Sequence, residues 1–307
     1  MGPDDEVRIA YVARRFFGDK ASKIDIANEL GLSRFKVARL LDEAVETGVV
    51  SITINNPGPI DAGLSVALRE RFDLRRAIVV ATPSDEPDAV RDHLSPVAAE
   101  LLTSLVSDYD VLGTTTGRTV QSISSHVRSL KRCDVVQLTG VADPRLENGL
   151  EAIARFTRAS GGRGYSLYAP QVFADSLAAD ALLRHPSIRR TMNRIDDVTI
   201  ALVTIGSWAP PDSQLFDNFM DDDERDGLLS RGVVGEVCST LVDQEGRIVE
   251  WDAARAISIT AKQLSAVNEV IAVGGGQRKV GAVQAVAASG LISSLVTDDR
   301  TARKLLS

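Results

Sequence analysis

The stretch GTTTGRT has the composition of a loop that holds an anion. Its glycines allow the backbone to approach a ligand closely, and its threonine hydroxyls can donate hydrogen bonds to phosphate oxygens. An apolar run precedes it and an amphipathic run follows, so the N-terminus of a helix would add favourable dipole charge. The same pattern is also typical of an ordinary strand-to-helix turn with threonine capping. The candidate ligand contacts here are Gly113, Thr114, Thr115, Thr116, Gly117, Arg118 and Thr119.

A second glycine turn, residues 274–276, follows the apolar run EVIAV and precedes a predicted helix over Val280–Ala288. Lys279 can reach an anion held by Gly275 and its neighbours, although a lysine in this position is equally often solvated. Neither loop ends in the Gly-Lys-Ser/Thr of a P-loop. Neither has Gly-x-Gly-x-x-Gly spacing with an acid about twenty residues later. A dinucleotide site is therefore not favoured, and no cofactor is predicted.

Other polar residues lie where apolar runs end, and they are candidate ligand contacts as well. Carboxylates there can accept hydrogen bonds from sugar hydroxyls. Most of these residues can also be explained as turn formers, and Asp243 with Glu245 and Gly246 reads as a plain hairpin turn. The candidates of this group are Gln137, Thr139, Gly140, Tyr168, Gly206, Glu236 and Asp243.

The composition argues against catalysis and metal binding. The three histidines, His93, His126 and His185, have no Cys, Asp or Glu cluster beside them at ligand spacing, so no metal is predicted. The cysteines, Cys133 and Cys238, lie in apolar stretches and are interpreted as buried side chains in a reducing compartment. The sequence contains no apolar run long enough for a signal peptide or a membrane span, so a cytoplasmic location without a membrane partner is expected.

The first fifty residues predict a helix-turn-helix. Ser22 caps a short helix that ends at Gly31, and Ser33 caps a longer one that runs to about Thr47. The later helix of such a unit enters the major groove of DNA. Because the net charge of the chain is -7, DNA binding depends on a local basic patch. The candidate DNA contacts are Ser22, Lys23, Ser33, Arg34, Phe35, Lys36 and Arg39.

The same helices predict their own core and the domain boundaries. The residues expected to point inward are Ile24, Ile26, Ala27 and Leu30 in the second helix and Val37, Leu40, Leu41, Ala44 and Val45 in the third. Residues 49–54 (VVSITI) alternate like a short strand, which would form a wing, and residues 55–59 (NNPGP) read as linker. We therefore predict a winged helix-turn-helix over residues 1–54, a linker over 55–62 and a larger domain over 63–307.

The remainder of the chain alternates short apolar runs with amphipathic stretches, which indicates β-α units around a mostly parallel, Rossmann-like sheet. The fold class is therefore α/β. Ligands of such sheets bind beyond the carboxyl ends of the strands, where both glycine loops would lie. The predicted strands are residues 77–81, 111–113, 135–138, 198–205, 256–259, 270–273 and 295–296.

Taken in order, the motifs resemble those of the SorC family of bacterial sugar-responsive transcriptional regulators. The resemblance covers nearly the whole chain and is carried by IANELGLSRFKVARLLDEAVETGVVSITI, GTTTGRTV, VVQLTG, YAP, ALVTIGS, GVVGEVCSTLVDQEG, EVIAVGGGQRKVGAV and SLVTDDRTARKLL. It implies a winged helix-turn-helix joined to a domain like that of glucosamine-6-phosphate isomerases. It also implies operator DNA and a small sugar, sugar phosphate or polyol as partners, and assembly as a homodimer or homotetramer.

The resemblance also assigns site residues. The effector loop of the family corresponds to residues 113–119, its later loop to Gly275 and Lys279, and its acidic sugar-facing position to Glu236 or Asp243. One departure follows VVQLTG, where Val141 and Ala142 replace a usual glycine and no lysine is present. A covalent imine with an aldehyde effector is therefore not expected. The helix-two entry also differs from the family's usual glutamine-containing one.

These observations predict a DNA-binding regulator of carbohydrate or polyol catabolism that responds to a small, phosphorylated sugar. The alternative is an enzyme resembling a sugar-phosphate isomerase, with the N-terminal helices as an accessory module. Its weakness is that no paired acid and base emerge at the glycine loops. A third possibility makes the N-terminal helices a protein-interaction module without a role in DNA binding, which the acidic net charge permits.

Overall fold

The computed structural model describes residues 2–52, 58–142, 149–219 and 222–307. The chain forms two compact units, residues 1–56 and residues 57–307. The described part of the first unit is helical, and the second unit contains two β-sheets with helices around them. Below, we call the first unit the head and the second the effector domain.

The head is built on three helices, and their boundaries follow from local capping. The Ser22 and Ser33 hydroxyls each accept a backbone N–H three residues later, at 3.2 Å, and so begin the second and third helices. Gly31 ends the second helix with φ +63°, a conformation that glycine adopts without strain. The helices are α1 (Pro3–Ala13), which continues into a π-helical turn (Arg14–Gly18), α2 (Lys23–Leu30) and α3 (Arg34–Glu46).

The head has its own small apolar core, and two residues that the sequence predicts to lie in it are exposed. The buried residues of α1, α2 and α3 are Ile9, Val12, Ala13, Ile26, Ala27, Val37, Leu40, Leu41 and Ala44. Ile24 is 59% exposed because it lies two residues before Ile26, on the opposite face of α2. Val45 is 45% exposed, since it lies one residue beyond the stripe of α3 that contacts the other helices and close to the helix end.

The predicted wing strand over residues 49–54 is not formed at residues 49–52, the part of it that the structure describes. Val49 and Val50 form a bend after α3, and the Val50 N–H donates to Ala44 O at 2.8 Å. Ser51 and Ile52 are irregular, and residues 53 and 54 lie outside the described residues. The alternating pattern therefore does not form a strand over residues 49–52, where the backbone folds back onto the end of α3.

The cap of α3 gives a prediction for stability. Replacing Ser33 with alanine removes the acceptor for the Lys36 N–H, so we expect the free energy of unfolding of the head to fall by about 1 kcal/mol. Ser33→Asn keeps a side-chain acceptor and is the matched control. Urea unfolding followed by helical circular dichroism measures the effect, and equal stability of the two variants would contradict this role for Ser33.

A seven-stranded sheet organises the effector domain, and every neighbouring pair of its strands is parallel. Its strands are β1 (Arg76–Val80), β2 (Val111–Thr114), β3 (Asp134–Gln137), β4 (Gly164–Tyr165), β5 (Ile200–Thr204), β10 (Glu269–Val273) and β11 (Ser294–Asp298). Their order is β1-β11-β10-β5-β2-β3-β4. From β2 the chain moves outward to β3 and β4 and then returns to β5 on the other side, so the switch point lies between β2 and β5.

Helices cover both faces of this sheet, because its strands are apolar on both sides. Successive residues of β5 show this, since Leu202 packs in one core and Val203 in the other. One face is covered by α5 (Pro87–Leu105), α6 (Arg118–His126) and α7 (Gly149–Ser160). The other is covered by α4 (Ala62–Arg71), α9 (Pro186–Ile195), α12 (Ala261–Ala266), α13 (Val280–Ala288) and α14 (Asp299–Leu306). The remaining helices are α8 (Ser176–Leu183), α10 (Gln214–Phe219) and α11 (Asp222–Ser230).

A second, antiparallel sheet of four strands follows directly after β5, and the sequence did not predict it as a sheet. Its strands are β6 (Gly206–Trp208), β7 (Pro211–Asp212), β8 (Val233–Val237) and β9 (Thr240–Asp243), in the order β7-β6-β8-β9. Conversely, the strand predicted over residues 256–259 is wrong. That segment forms only single bridges, from Ala256 to Val172 and from Ser258 to Thr139.

Candidate functional site

A polar cavity lies at the carboxyl ends of β2, β5 and β10, beside the switch point where ligands of open α/β sheets bind. Its volume is about 140 Å³. A cavity of about 150 Å³ holds one six-membered ring, so the space suits a single small molecule. Ten of the predicted ligand contacts line it, namely Thr115, Thr116, Gly117, Arg118, Thr119, Thr139, Gly206, Glu236, Gly275 and Lys279.

The loop from β2 to α6 forms one wall of the cavity. Thr115 is buried, and its hydroxyl has no hydrogen-bond partner among the described residues. Gly117 precedes α6 with φ +123°, which a residue with a side chain rarely adopts, and no side chain caps the helix from this position. The first N–H groups of α6 are therefore placed to donate to an anionic ligand, and Thr115 belongs to the same wall.

Lys279 belongs to the opposing loop and is mostly enclosed. Its Nζ donates to Ile205 O at 2.8 Å and lies 3.8 Å from Asp212 Oδ2. Burial lowers the pKa of Lys279, while the charges of Asp212 and Glu236 oppose this effect. Arg118 and Arg91 also lower it, which means that three cations face the same space. An anion bound among them would relieve their mutual repulsion.

Glu236 is the buried acid of the cavity. The Ser213 hydroxyl donates to Glu236 Oε1. Burial raises the pKa of Glu236 to about 7, against the hydrogen bonds from Ser213 and Trp208 and the charge of Lys279. Gly206 lies directly against this carboxylate, because a Cβ there would be 2.4 Å from Oε1. Glu236 therefore lines the cavity beside Gly206, where its carboxyl group can face a ligand hydroxyl.

A family model described as "Putative sugar-binding domain" matches residues 60–307, which include every residue of the cavity wall. The curated sorbitol operon regulator of Klebsiella pneumoniae is 28% identical over 320 residues, with 100% of each chain covered. This chain belongs to the SorC family of sugar-binding transcriptional regulators. The deoxyribonucleoside regulator of Bacillus subtilis (strain 168) is 29% identical over 299 residues, which cover 96% of this chain and 95% of that protein.

Solved structures show that the SorC fold extends over the whole chain. The crystal structure of the full-length sorbitol operon regulator SorC from Klebsiella pneumoniae superimposes with a TM-score of 0.75. It covers 100% of both chains at 24% sequence identity. A domain of a possible sugar-binding transcriptional regulator from Arthrobacter aurescens TC1 has a TM-score of 0.70 at 23% identity and covers 83% of this chain. The predicted α/β fold class is thereby confirmed.

Three predicted contacts of this SorC-family chain serve packing within the sheet. Gly113 lies inside β2, where a Cβ would be 2.7 Å from a methyl carbon of Leu138. Gly140 lies against Pro170, whose carbonyl oxygen would be 2.4 Å from a Cβ. Gln137 is fully buried, and its amide Nε2 donates to Thr139 O at 2.7 Å. These residues shape the strand ends and do not form part of the cavity wall.

Three other predicted ligand contacts, Thr114, Tyr168 and Asp243, also lie outside the cavity wall. The hydroxyl of Thr114 is buried in β2 and donates to Thr115 O at 3.3 Å. The side chain of Tyr168 is 71% exposed. Asp243 ends β9 and accepts from Arg247 Nε at 2.8 Å across the following turn, as the plain hairpin explanation of this acid predicts. Of the two acids proposed for the sugar-facing position, only Glu236 faces the cavity.

The cavity wall also contains polar residues that the sequence did not single out. Arg91 comes from the first turns of α5, Asp212 from β7, and Ser239 from the turn between β8 and β9. Asp212 and Ser239 reach the cavity through the antiparallel sheet, which their sequence pattern did not reveal. A detectable signal existed for Arg91, because Pro87 marks the start of a helix that follows β1 at the same edge of the main sheet.

The head presents the seven predicted DNA contacts on its surface. Ser22 and Ser33 are the helix caps already described, and the other five side chains are exposed. The Arg34 guanidinium lies over the ring of Phe35, 4.8 Å from its centroid, and Phe35 is 67% exposed. Lys23 lies over the ring of Phe16 at 5.6 Å. Arg34, Lys36 and Arg39 form no ion pair with the described residues, so their charges are available to a polyanion.

Within residues 2–52, 58–142, 149–219 and 222–307, no group of three or more His, Cys, Asp or Glu side chains is placed to hold a metal ion. Over those same ranges, no helix has both the length and the apolar character that crossing a membrane requires.

Proposed function

We propose that this SorC-family chain is a DNA-binding transcriptional regulator of carbohydrate or polyol catabolism. Its affinity for operator DNA would change when a small phosphorylated sugar or polyol occupies the cavity. The observation that carries the proposal is the presence in one chain of two features: an exposed basic helix-turn-helix in one unit, and a polar cavity at the switch point of the sheet in the other. The regulator names of its relatives support the same conclusion.

The chemistry of the wall favours a ligand with an anionic group and a neutral polyhydroxy body. Arg91, Arg118 and Lys279 supply positive charge, and the loop before α6 supplies N–H and hydroxyl donors. A phosphate would accept from these groups. Glu236, whose pKa is about 7, can accept a hydrogen bond from a hydroxyl or donate one to it, so a neutral polyhydroxy body fits beside it. The cavity of about 140 Å³ is partly open to solvent and suits one monosaccharide or a polyol of similar size.

Two symmetry-related heads would explain how so small a basic surface selects an operator. A homodimer or homotetramer places two copies of α3 against half-sites separated by whole turns of DNA, which produces an inverted-repeat operator. The protein would act in the cytoplasm, where this DNA is found. Footprinting on DNA from upstream of its own gene measures the half-site spacing, and a single unrepeated footprint would contradict the two-fold arrangement.

A thermal-shift screen tests the ligand class. The full chain is heated with glucose 6-phosphate, fructose 6-phosphate, ribose 5-phosphate, deoxyribose 5-phosphate, sorbitol 6-phosphate and the matching unphosphorylated compounds. Binding to the folded state raises the Tm by linkage, so at least one phosphorylated compound is expected to raise it selectively. A flat response across the panel, or a response to unphosphorylated sugars alone, would contradict the proposed ligand.

Lys279 provides the mutational test of the cavity. Lys279→Met keeps most of the apolar stem but removes the ammonium group, so we expect affinity for the phosphorylated compound to fall at least tenfold. A hydrogen bond to a charged group contributes about 1.5 to 3 kcal/mol. Calorimetric titration measures the change. Lys262→Met, an exposed position on α12, is the matched control. Equal affinities of the two variants would place the anion elsewhere.

One observation favours a second candidate, an enzyme resembling a sugar-phosphate isomerase. A carboxyl with a pKa of about 7 can exchange a proton with a substrate near neutral pH, and Glu236 is such a group. Incubation of the pure protein with glucose 6-phosphate, followed by NMR detection of fructose 6-phosphate, separates the candidates. The regulator proposal expects no turnover, and turnover that Glu236→Gln abolishes would establish the enzyme.

A further inference from the structure

The glycine loop of the cavity, residues 274–276, is held by a buried carboxylate outside the cavity wall. Asp298 is fully buried at the end of β11, and its Oδ2 accepts the Gly276 N–H at 2.6 Å. A Cβ on Gly275 would be 2.3 Å from the same oxygen, so the loop backbone lies directly on the carboxylate. This close approach requires glycine at position 275 and fixes the loop that leads to Lys279.

Thr301 completes this attachment. Its hydroxyl donates to Asp298 Oδ2 at 2.7 Å and accepts the Gly276 N–H at 3.1 Å. Asp298 Oδ1 accepts the backbone N–H of Thr301 at 2.9 Å and that of Arg300 at 3.1 Å, which makes Asp298 the N-cap of α14. One carboxylate therefore joins the glycine loop to the first turn of α14.

A second contact joins the same two elements at the surface. Asp85, just before α5, accepts from Gln277 Nε2 at 2.6 Å and from Arg300 Nη1 at 2.8 Å. This contact is exposed and open to screening by salt, whereas the Asp298 and Thr301 contacts are buried. The buried pair is therefore expected to dominate the position of the loop.

From α14 the contacts continue to α4. The Asp299 carboxylate accepts the Thr82 N–H at 3.1 Å, and Arg303 lies 4.0 Å from the carboxylate of Asp61, the N-cap of α4. Ala302 and Leu305 of α14 share an apolar core with Leu68 of α4. In chain order, α4 is the first helix of the effector domain after the segment that leaves the head.

We propose that Asp298 and Thr301 act as a positioning pair for the glycine loop and for the ligand site of Lys279. The same pair links occupancy of the cavity to α14 and, through α14, to α4, the first helix after the head in chain order. The positioning role concerns the ligand-free protein, whereas the link to DNA affinity rests on the proposed function. Neither residue belongs to the cavity wall, so each acts through the loop.

Hydrogen exchange of the ligand-free full chain tests the positioning role directly. Thr301→Val keeps the side-chain volume but removes the hydroxyl, so amides of residues 274–279 are expected to exchange at least tenfold faster. Thr301→Ser restores the hydroxyl and is expected to exchange like the original protein. Asp175→Asn alters the N-cap of α8 without touching the loop and is the control for general helix fraying.

Two results would overturn the positioning role. One is unchanged exchange of residues 274–279 in both Thr301→Val and Asp298→Asn. The other is an increase that is uniform over the effector domain, or one that Thr301→Ser does not reverse, because either would indicate general loss of stability.

Glucose 6-phosphate, as a defined probe, then tests the link to the ligand site. Its Kd by calorimetry is expected to rise at least fivefold in Thr301→Val and to stay unchanged in Thr301→Ser. An unchanged Kd in Thr301→Val would overturn the link. Should the original protein fail to bind any sugar phosphate, the proposed function fails, while the exchange measurement still decides the positioning role.

Discussion

Simultaneous replacement of Arg34 and Arg39 by alanine is expected to weaken binding of operator DNA about a hundredfold or more. Both side chains are exposed on α3 and form no ion pair with the described residues of the head. Contacts of this kind each contribute about 1 to 3 kcal/mol to DNA binding. Fluorescence anisotropy at fixed salt measures the loss, and ligand affinity should be unchanged because the cavity belongs to the other unit.

Arg8→Ala is the matched control for this loss. Arg8 lies on α1, outside the helix-turn-helix, and pairs with Asp4 at 3.0 Å. Circular dichroism verifies that each variant remains helical. If the double variant binds DNA as tightly as Arg8→Ala, α3 is not the recognition helix, and the interpretation of the head as a protein-interaction module gains support.

We also expect the free energy of unfolding of the effector domain to depend strongly on pH, because Glu236 is buried. Burial raises its pKa from 4.5 to about 7, so between these values the folded state holds a proton that the unfolded state has lost. The stability contributed by the protonated group is therefore complete below about pH 4.5 and disappears as the pH rises through 7. Relative to Glu236→Gln, the free energy of unfolding should fall by about 2 to 3 kcal/mol between pH 5 and pH 8.

Urea unfolding at pH 5, 6, 7 and 8 measures this slope in the original protein and in Glu236→Gln. Glu250→Gln, at an exposed position, is the control and should keep the slope of the original protein. Parallel stability curves for the original protein and Glu236→Gln would mean that Glu236 remains ionised in the folded protein.

The sequence predicted the head most accurately where local chemistry decides structure. Ser22, Gly31 and Ser33 specify helix ends through their own side chains or backbone freedom, and all three lie where expected. Residues 49–52 show the limit of such reasoning. Alternating apolar residues favour a strand only when a partner strand is present to accept their hydrogen bonds, and the Val50 N–H instead finds Ala44 O at the end of α3.

The candidate site was predictable to the extent that it is built from strand ends. Loops after β2 and β10 must meet at one edge of a parallel sheet, which brings Thr115 and Lys279 into one cavity. The antiparallel sheet was missed because its strands are short and include Gly206 and Pro211, residues that interrupt a strand pattern. Ser213 could not be assigned for the same reason, although it holds Glu236.

Glycine residues illustrate a second limit, because the sequence alone does not reveal what a glycine lies against. Gly113 and Gly117 belong to the same motif, yet a Cβ on Gly113 would strike Leu138 inside the sheet, whereas Gly117 needs its positive φ at the cavity wall. Gly275 has a third role, since the absence of a side chain there lets the Asp298 carboxylate lie against the backbone. Only the three-dimensional contacts separate packing, turn formation and ligand approach.

Coupling between the cavity and the head is tested most directly by the Kd for operator DNA. It is measured with and without a saturating sugar phosphate identified by the thermal-shift screen. We expect the Kd to change by about 5- to 150-fold, which corresponds to 1 to 3 kcal/mol, and DNA to change the ligand affinity by the same factor. The coupling would be contradicted by a ligand whose binding is measured by calorimetry and weakened by Lys279→Met, but which leaves the Kd for DNA unchanged.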